Sequence, residues 1–328
     1  MSQDALLRFD GRVAVLQHVT EQQFCDHVLP ARLPVVLKGL DIGCAPQQWT
    51  PAYLRDLPSS QATLVGVHVS TEPSGCLNFV NRNFVFKTMS LSELVARCTG
   101  QKMEPLIGNG ERYYLRSIGA NPRKEPSSIE KSFPDLARSL NLPQLFPADS
   151  EFSSVLRITS PGVRLWTHFD VMDNFLVQIR GTKRVQLWSP DDEENLYVQG
   201  SSSEVMDVDD PDLARYPLFA KACRWKCELQ PGDVLFIPAL WFHNVYTEEF
   251  SVSANVFWRQ LPKNMYDKKD LYGNRDPIPA TEALKAIDAA AAKLLELPNY
   301  YRQFYCKRLQ RQLGSLVDAG ACGECGIE

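Results

Sequence analysis

The stretch of sequence that decides the fold is residues 165–188, LWTHFDVMDNFLVQIRGTKRVQLW. It is an apolar, β-branched and aromatic run that predicts strands, yet it carries His168 and Asp170 two positions apart. Because side chains of a strand alternate between its faces, the imidazole and the carboxylate are predicted to share one face. Charged side chains are seldom buried unless they are paired or bind a metal. Alone, this spacing favours a surface strand pair, and a metal site is the alternative.

A second stretch, residues 231–245 (PGDVLFIPALWFHNV), supplies a third polar side chain. It predicts a short strand at 234–237 and places His243 just past the end of that strand. Two histidines and one carboxylate suit one face of an Fe(II) ion and leave its other positions open. The chain has five histidines, and two of them fall in these aromatic stretches, which strengthens the prediction.

Lys183 follows the Gly181–Thr182 turn and opens the next predicted strand. A hairpin at residues 180–182 would place its ammonium near the His-Asp strand, where it could pair with a ligand carboxylate. Taken on its own, Lys183 is more simply interpreted as a solvated hairpin lysine. In the predicted strand 112–117, alternation puts Tyr114 and Arg116 on one face, where the residues alone favour a core aromatic.

The order His168-x-Asp170, Lys183, His243, together with PGDVLFIPxxWxH, resembles the JmjC-type 2-oxoglutarate-dependent oxygenases. The likeness covers roughly residues 12–312 and is supported by stretches at 113–117, 173–174, 239–245 and 266–274. Within that family the chain is most similar to the tRNA wybutosine-synthesising hydroxylases, which modify the hypermodified guanosine beside the phenylalanine tRNA anticodon.

The resemblance implies a mainly β fold with helices (α+β): a double-stranded β-helix, the JmjC or cupin-like jelly-roll barrel, with N-terminal helices and a C-terminal helical pair. The oxygenase domain is predicted at residues 1–262, with the barrel core at about 105–262, and a C-terminal helical extension at 263–328. It also implies Fe(II), 2-oxoglutarate and molecular oxygen. The metal would be held by His168, Asp170 and His243, and 2-oxoglutarate by Lys183, Tyr114, Asn174 and Asn255.

The implied function is hydroxylation of the wybutosine-type guanosine of phenylalanine tRNA, the substrate atom being left open. A JmjC protein hydroxylase or histone demethylase would share the same metal and cofactor residues. A non-enzymatic JmjC scaffold would be expected to have lost a ligand, and no ligand is lost here. A zinc- or manganese-dependent cupin isomerase would not need Lys183 and Tyr114.

The formal net charge of −4 excludes a uniformly basic nucleic-acid binder, although it allows a local basic face for tRNA. The candidate cations, each of which could equally be a solvated charge, are Arg123, Lys124, Lys263, Lys268, Lys269, Arg302, Lys307, Arg308 and Arg311. In the last predicted helix an apolar stripe recurs at helical spacing, which predicts either packing onto the barrel or a homodimer surface. The stripe consists of Tyr301, Tyr305, Leu309, Leu313 and Leu316.

Nine cysteines, with charged residues at positions 4, 8 and 10 where a secretory signal would be apolar, predict an intracellular, reducing compartment. Cytoplasm and nucleus are not distinguished.

The longest apolar run, 234–242, is too short to cross a bilayer, so no membrane-spanning segment is predicted. Cys25, Cys98 and Cys306 are predicted to be small core residues. The pair Cys322 and Cys325 lacks a second pair to complete a zinc site.

Local signals predict the remaining elements. Helices are expected to start at Thr20, Thr50 and Ser90, and another to run over 127–140. The acidic segment 191–216 is predicted to be a solvated loop beside the site mouth. In the strand 250–258 the polar face of Ser251, Ser253 and Asn255 is predicted to line a cavity.

Overall fold

A computed structural model of the chain describes residues 10–79, 81–101 and 103–323. Its strands are β1 (Asp10–Arg12), β2 (Ala14–Gln17), β3 (Val35–Lys38), β4 (Leu64–Ser70), β5 (Cys76–Leu77), β6 (Val85–Ser90), β7 (Arg112–Arg116), β8 (Glu151–Thr159), β9 (Val163–His168), β10 (Asp173–Arg180), β11 (Lys183–Trp188), β12 (Val198–Gln199), β13 (Ser202–Ser203), β14 (Arg224–Leu229), β15 (Val234–Ile237), β16 (Phe242–Thr247) and β17 (Ser251–Trp258). Its α-helices are α1 (Glu21–Gln23), α2 (Leu29–Ala31), α3 (Ala45–Gln48), α4 (Pro51–Asp56), α5 (Pro58–Ala62), α6 (Leu91–Cys98), α7 (Ile129–Ser132), α8 (Pro134–Ala137), α9 (Ile278–Leu295) and α10 (Asn299–Gly323).

The strands within these ranges form two mixed sheets. The first has the order β1-β14-β11-β16-β9-β13-β12, with β5 also beside β9, and the second has the order β2-β3-β15-β10-β17-β8-β7-β4-β6. Among the described strands no pairing closes a barrel, so the architecture is a two-sheet jelly roll with helices. The predicted α+β fold class is confirmed.

Strand β10 lies at the centre of the core and is buried on both faces. Phe175, Val177 and Ile179 pack in the cluster that includes helices α4 and α6. Leu176, on the opposite face, packs in a second cluster with Leu165 of β9. This two-sided burial explains why the stretch reads as a continuous apolar run rather than an alternating one.

The predicted hairpin at residues 180–182 is wrong. Strand β10 pairs with β15 and β17, whereas β11 pairs with β14 and β16, so the turn passes from one sheet to the other. Gly181 makes this crossing possible: its φ is 71°, and a Cβ there would lie 2.3 Å from the carbonyl oxygen of Phe250. Lys183 therefore begins a strand of the opposite sheet.

The predicted helix starts at Thr20, Thr50 and Ser90 are confirmed, since each side chain accepts a hydrogen bond from a backbone N–H three residues later. The single helix predicted over 127–140 is wrong. Two short helices, α7 and α8, replace it, and they are separated at Pro134, which cannot continue a helix from its N-terminal side.

The segment 191–216 was predicted to be a solvated loop, and that interpretation is wrong in part. Leu196, Val205 and Val208 are buried in a cluster with Trp188 and Phe242. Its short strand β13 pairs with β9, which ends at a candidate metal ligand. The segment does border the site, but as a packed element.

Contacts divide the chain into two compact units, Met1–Lys263 with Lys268–Arg275, and Asn264–Asp267 with Asp276–Glu328. The second unit contains α9 and α10. The apolar stripe on α10 is exposed. Among the described residues, no helix has the length and apolar character of a membrane span.

Cys98 is buried and Cys25 is partly buried, but Cys306 is exposed and not a core residue. The side chains of Cys322 and Cys325 lie outside the described ones.

Candidate metal centre and its cavities

The three predicted metal ligands converge at one end of the first sheet. His168 is the last residue of β9, and it is the register partner of His243 on β16. Asp170 lies two residues beyond the end of β9, in the loop that leads to β10. One ligand atom of each of the three residues lies within 4.8 Å of the others, and His243 Nε2 is 3.6 Å from Asp170 Oδ2. Two local expectations therefore change: Asp170 is not on the strand, and His243 is inside the next strand rather than just past β15.

Backbone carbonyls orient both imidazoles. His168 Nδ1 lies 2.9 Å from the carbonyl oxygen of Trp166, and His243 Nδ1 lies 3.1 Å from that of Trp241. Because a carbonyl oxygen only accepts, each Nδ1 carries the hydrogen and each Nε2 keeps its lone pair for a metal. Burial, with a smaller contribution from His243, lowers the pKa of His168 to about 3. Two imidazoles that each present Nε2, with one carboxylate, are a donor set that fits a divalent iron ion.

A group of hydrogen bonds ties the Asp170 loop to the segment that precedes His243. We call it the Arg32 clamp. Its centre is a fully buried carboxylate, that of Asp173, held by two guanidinium nitrogens of Arg32 at 2.6 and 2.8 Å. The remaining bonds run from Ala239 N to Asp173 Oδ1 (2.7 Å), Leu240 N to Asp170 O (2.8 Å) and Trp241 Nε1 to Arg32 O (2.9 Å). The clamp thus links two of the three candidate ligands through α2.

The larger cavity beside the centre has a volume of about 560 Å³, within the usual size range of small-molecule pockets. His168 and Asp170 line it, and much of its wall is aromatic. Trp166 stacks between Phe79, at 4.1 Å, and His168, at 4.3 Å between ring centroids. Further wall residues are His68, Phe84, Phe86, Tyr114, Arg116 and Arg157. Burial is the main cause that lowers the pKa of His68 to about 4, so this ring is a neutral part of the wall.

A narrower pocket adjoins the centre and holds buried cations. His168, His243, Lys183, Arg157 and Asn255 all line it. The Lys183 ammonium donates to Ser253 Oγ at 2.5 Å, reaching from β11 to β17 of the other sheet. Burial, and secondarily the charge of Arg157, lower the pKa of Lys183 to about 7. The described part of the chain gives Lys183 no carboxylate within ion-pair distance.

Arg157 of β8 is the functional candidate that sequence reasoning missed. It lines both cavities, donates to Asn255 Oδ1 at 2.5 Å, and donates to the hydroxyl of Tyr114. Tyr114 lines the larger cavity rather than the narrower one. Asn174 lines neither, but its Oδ1 accepts from Asn255 Nδ2 at 2.9 Å, so it contacts the pocket through Asn255. A lone arginine in a strand of otherwise apolar or small residues was the available signal.

Comparison with known proteins gives one family and a group of relatives. The model of the Cupin-like domain family matches residues 20–264. tRNA wybutosine-synthesizing protein 5 of Homo sapiens is 48% identical over 295 residues, which is 90% of this chain and 92% of that protein. The Gallus gallus protein of the same name is 48% identical over 299 residues, 91% of this chain and 93% of that protein. tRNA wybutosine-synthesizing protein 4 of Gibberella zeae is 34% identical over 287 residues, 86% of this chain but 27% of that longer protein.

Proposed function

The chain belongs to the Cupin-like domain family, and from that premise we propose that it is an Fe(II)- and 2-oxoglutarate-dependent hydroxylase of the wybutosine-type guanosine in phenylalanine tRNA. The observation that carries the proposal is a His-Asp-His group opening onto an aromatic cavity of about 560 Å³. Relatives at 48% identity over nine tenths of the chain are named for wybutosine synthesis, which supports an enzyme of tRNA modification.

The chain's own residues would hold and orient the reactants. His168, Asp170 and His243 would bind Fe(II) through two Nε2 atoms and a carboxylate oxygen. When bound, the iron activates molecular oxygen, and 2-oxoglutarate leaves as succinate and carbon dioxide while the substrate gains a hydroxyl group. In the narrower pocket Lys183 and Arg157 would bind the distal carboxylate of 2-oxoglutarate, since both are cations without a carboxylate partner among the described residues. Asn255 and Tyr114 would fix the position of Arg157, Asn174 would hold Asn255, and Ser253 would hold Lys183.

The larger cavity would receive the base. An enzyme that acts on a nucleotide within a loop takes the base out of its stack and holds it by stacking on aromatic side chains. Phe84, Phe86 and Tyr114 line the cavity and provide aromatic surface of this kind, whereas both faces of Trp166 are already covered by Phe79 and His168. A tricyclic guanosine derivative is a large, flat ring system, so it suits a wide aromatic cavity better than a peptide side chain does.

Cations outside the cavity would hold the tRNA backbone. The proposed contacts are Arg123, Lys124, Lys263, Lys268, Lys269, Arg302, Lys307, Arg308 and Arg311, of which all except the half-buried Arg302 are exposed. The exposed apolar stripe of α10 would form a homodimer contact, because a second copy of the same helix offers a matching apolar surface. Light scattering of the wild type and of Leu309→Glu tests the dimer: a monomeric wild type would end this part of the proposal.

The test of function uses tRNA from cells that make wybutosine. We expect purified protein with Fe(II), 2-oxoglutarate and oxygen to make the wybutosine nucleoside one oxygen atom heavier by mass spectrometry, with one succinate formed per hydroxylation. His243→Ala is the control and should form neither product. If tRNA does not stimulate the turnover of 2-oxoglutarate and no oxygenated nucleoside forms, the tRNA substrate is refuted, and a protein substrate becomes the better hypothesis.

A further inference from the structure

A second cavity, of about 220 Å³, adjoins the aromatic one and shares Trp166 and Ser202 with it. Trp166 is therefore a common wall, and the second cavity opens beside the candidate metal centre. Its lining is unlike that of its neighbour, because it is rich in primary amides. The residues that matter are Asn78, Asn81, Gln199, Met206, Arg215 and Tyr216.

The amide-rich lining suits one class of ligand. A primary amide carries two donors and one acceptor at fixed spacing, which is the combination that reads the hydrogen-bonding edge of a nucleobase. Tyr216 adds aromatic surface against which a base can lie, and the edge of Trp166 closes the shared side of the cavity. The guanidinium of Arg215 lies 5.1 Å from the ring centroid of Tyr216, at a position where a cation can meet a phosphate.

The cavity is built on packed structure and not on a loose loop. The Trp166 indole donates to Ser202 Oγ at 2.8 Å, which fixes the shared wall. Asn78 is buried, and its Oδ1 accepts from the Asn81 backbone at 2.9 Å. By contrast, Asn81 and Gln199 are exposed, and among the described residues neither side-chain amide has a hydrogen-bond partner. These two amides are the ones available to a ligand.

The acidic segment that forms one side of the cavity does not exclude an anionic RNA. Asp207 and Asp209, its central carboxylates, both pair with the guanidinium of Arg164, at 3.2 and 2.8 Å. Asp212 is engaged by the backbone amides of Ala214 and Arg215. The carboxylate that remains in the lining is Glu204, which can accept from a base amino group.

We propose that this cavity, the flanking-base pocket, binds the unpaired nucleotide next to the one whose base enters the aromatic cavity. The inference rests on the proposed function, because it needs an RNA base beside the metal centre. Trp166 would then form the wall between two successive bases, and each base would meet the edge of the indole, because Phe79 and His168 cover its two faces. The role of the pocket is to set which nucleotide of the loop reaches the metal.

The test measures binding of an anticodon stem-loop RNA that carries the wybutosine-type base, and of the same RNA with an abasic residue on its 5′ or 3′ side. We expect the double variant Asn81→Ala/Gln199→Ala to bind the intact RNA about tenfold more weakly than the wild type. One of the two abasic RNAs should lose at least that factor with the wild type, since the aromatic contact is lost as well. The double variant should bind this abasic RNA as the wild type does, because the two amides then have no base to contact. Gln61→Ala, an exposed amide on α5, is the matched control and should bind as the wild type does.

The outcomes separate the pocket from the enzyme. If the double variant binds intact RNA normally, or if the protein change and the abasic change weaken binding additively, the flanking-base pocket is refuted while the tRNA hydroxylase stands. If the wild type binds neither RNA, the proposed function fails, and the pocket fails with it. Both altered side chains are exposed, and an unchanged unfolding temperature with retained 2-oxoglutarate binding verifies that the double variant is folded.

Discussion

Replacing Arg32 by alanine removes the guanidinium that holds the buried Asp173, and we expect it to weaken metal binding as well as folding stability. Asp173 is fully buried and accepts three hydrogen bonds, two from Arg32 and one from the amide of Ala239. Removing one partner of a buried ion pair costs about 3–5 kcal/mol. The Arg32 side chain is 37% exposed, so water enters the vacated space, and the expected loss is at the lower end, about 3 kcal/mol.

Metal affinity should fall because the Arg32 clamp joins the Asp170 loop to the segment before His243. Loss of a side chain that orients metal ligands typically weakens metal binding by about 10–100-fold. The assay is calorimetric titration with Mn(II), a redox-stable stand-in for Fe(II), beside unfolding in urea. In the Arg32→Ala background, Asp173→Asn should recover part of the stability, since a neutral amide costs less to bury than an unpaired carboxylate.

Lys38→Ala is the matched control. Lys38 pairs with Asp233 at 3.3 Å, and its side chain is also 37% exposed, but this pair lies outside the clamp. It should cost less stability than Arg32→Ala, because Lys38 makes one contact of 3.3 Å where Arg32 makes two of 2.6 and 2.8 Å, and it should leave Mn(II) affinity unchanged. If Arg32→Ala weakens Mn(II) binding no more than Lys38→Ala does, the clamp stabilises the fold without positioning the ligands, and the reasoning is refuted.

Alanine at any of the three candidate metal ligands should abolish 2-oxoglutarate turnover in a protein that still folds by circular dichroism; substantial turnover by Asp170→Ala would remove that assignment. Lys183→Ala should raise the apparent Kd for 2-oxoglutarate at least about tenfold, and Lys183→Arg should rescue it poorly, because a planar fork replaces a point charge; an unchanged Kd would place the cofactor elsewhere. The pKa of Lys183, lowered to about 7, means that the ligand-free amine is neutral at higher pH, so binding a carboxylate must take up a proton. The Kd should therefore rise by up to about tenfold per pH unit above this pKa, and calorimetry from about pH 6 to about pH 9 would contradict this if the Kd stayed flat. Replacing three cations of α10 by alanine should weaken tRNA binding and lower its salt slope by about one per lost phosphate contact, with cofactor binding intact; unaltered binding would move the RNA surface away from Lys307, Arg308 and Arg311.

The elements that sequence predicted well are those in which local rules and tertiary packing agree. The helix caps at Thr20, Thr50 and Ser90 depend on a side chain and a backbone amide three residues away, so no distant contact can alter them. The polar face of β17 was also predicted, because alternation assigns Ser253 and Asn255 to one side whatever lies opposite. Both side chains do line or contact the narrower pocket.

The wrong predictions fall where pairing with a strand far away in the sequence determines the structure. A turn at Gly181 followed by a strand reads locally as a hairpin, and only the pairing of β11 with β14 and β16 reveals a passage between sheets. The Arg32 clamp has no local signal at all, since its two partners are 141 positions apart in the chain. Arg157 was within reach, because an arginine at an inward strand position needs a buried partner. Asp170 reaches the two histidines from a loop, so the two-residue period of a strand does not explain why these three side chains converge.

The buried charges around the two cavities explain why the cofactor and the base would depend on each other. Within the described part of the chain, Lys183 and Arg157 have hydroxyl and amide partners but no carboxylate, so the narrower pocket carries uncompensated positive charge. A dicarboxylate that chelates a metal with one end has its other carboxylate left to neutralise these cations. Arg157 also lines the aromatic cavity, where Arg116 is a second cation. If 2-oxoglutarate binds as proposed, it would neutralise Arg157 and lower the repulsion between the two arginines, so the cavity for the base would be better organised once the narrower pocket is filled.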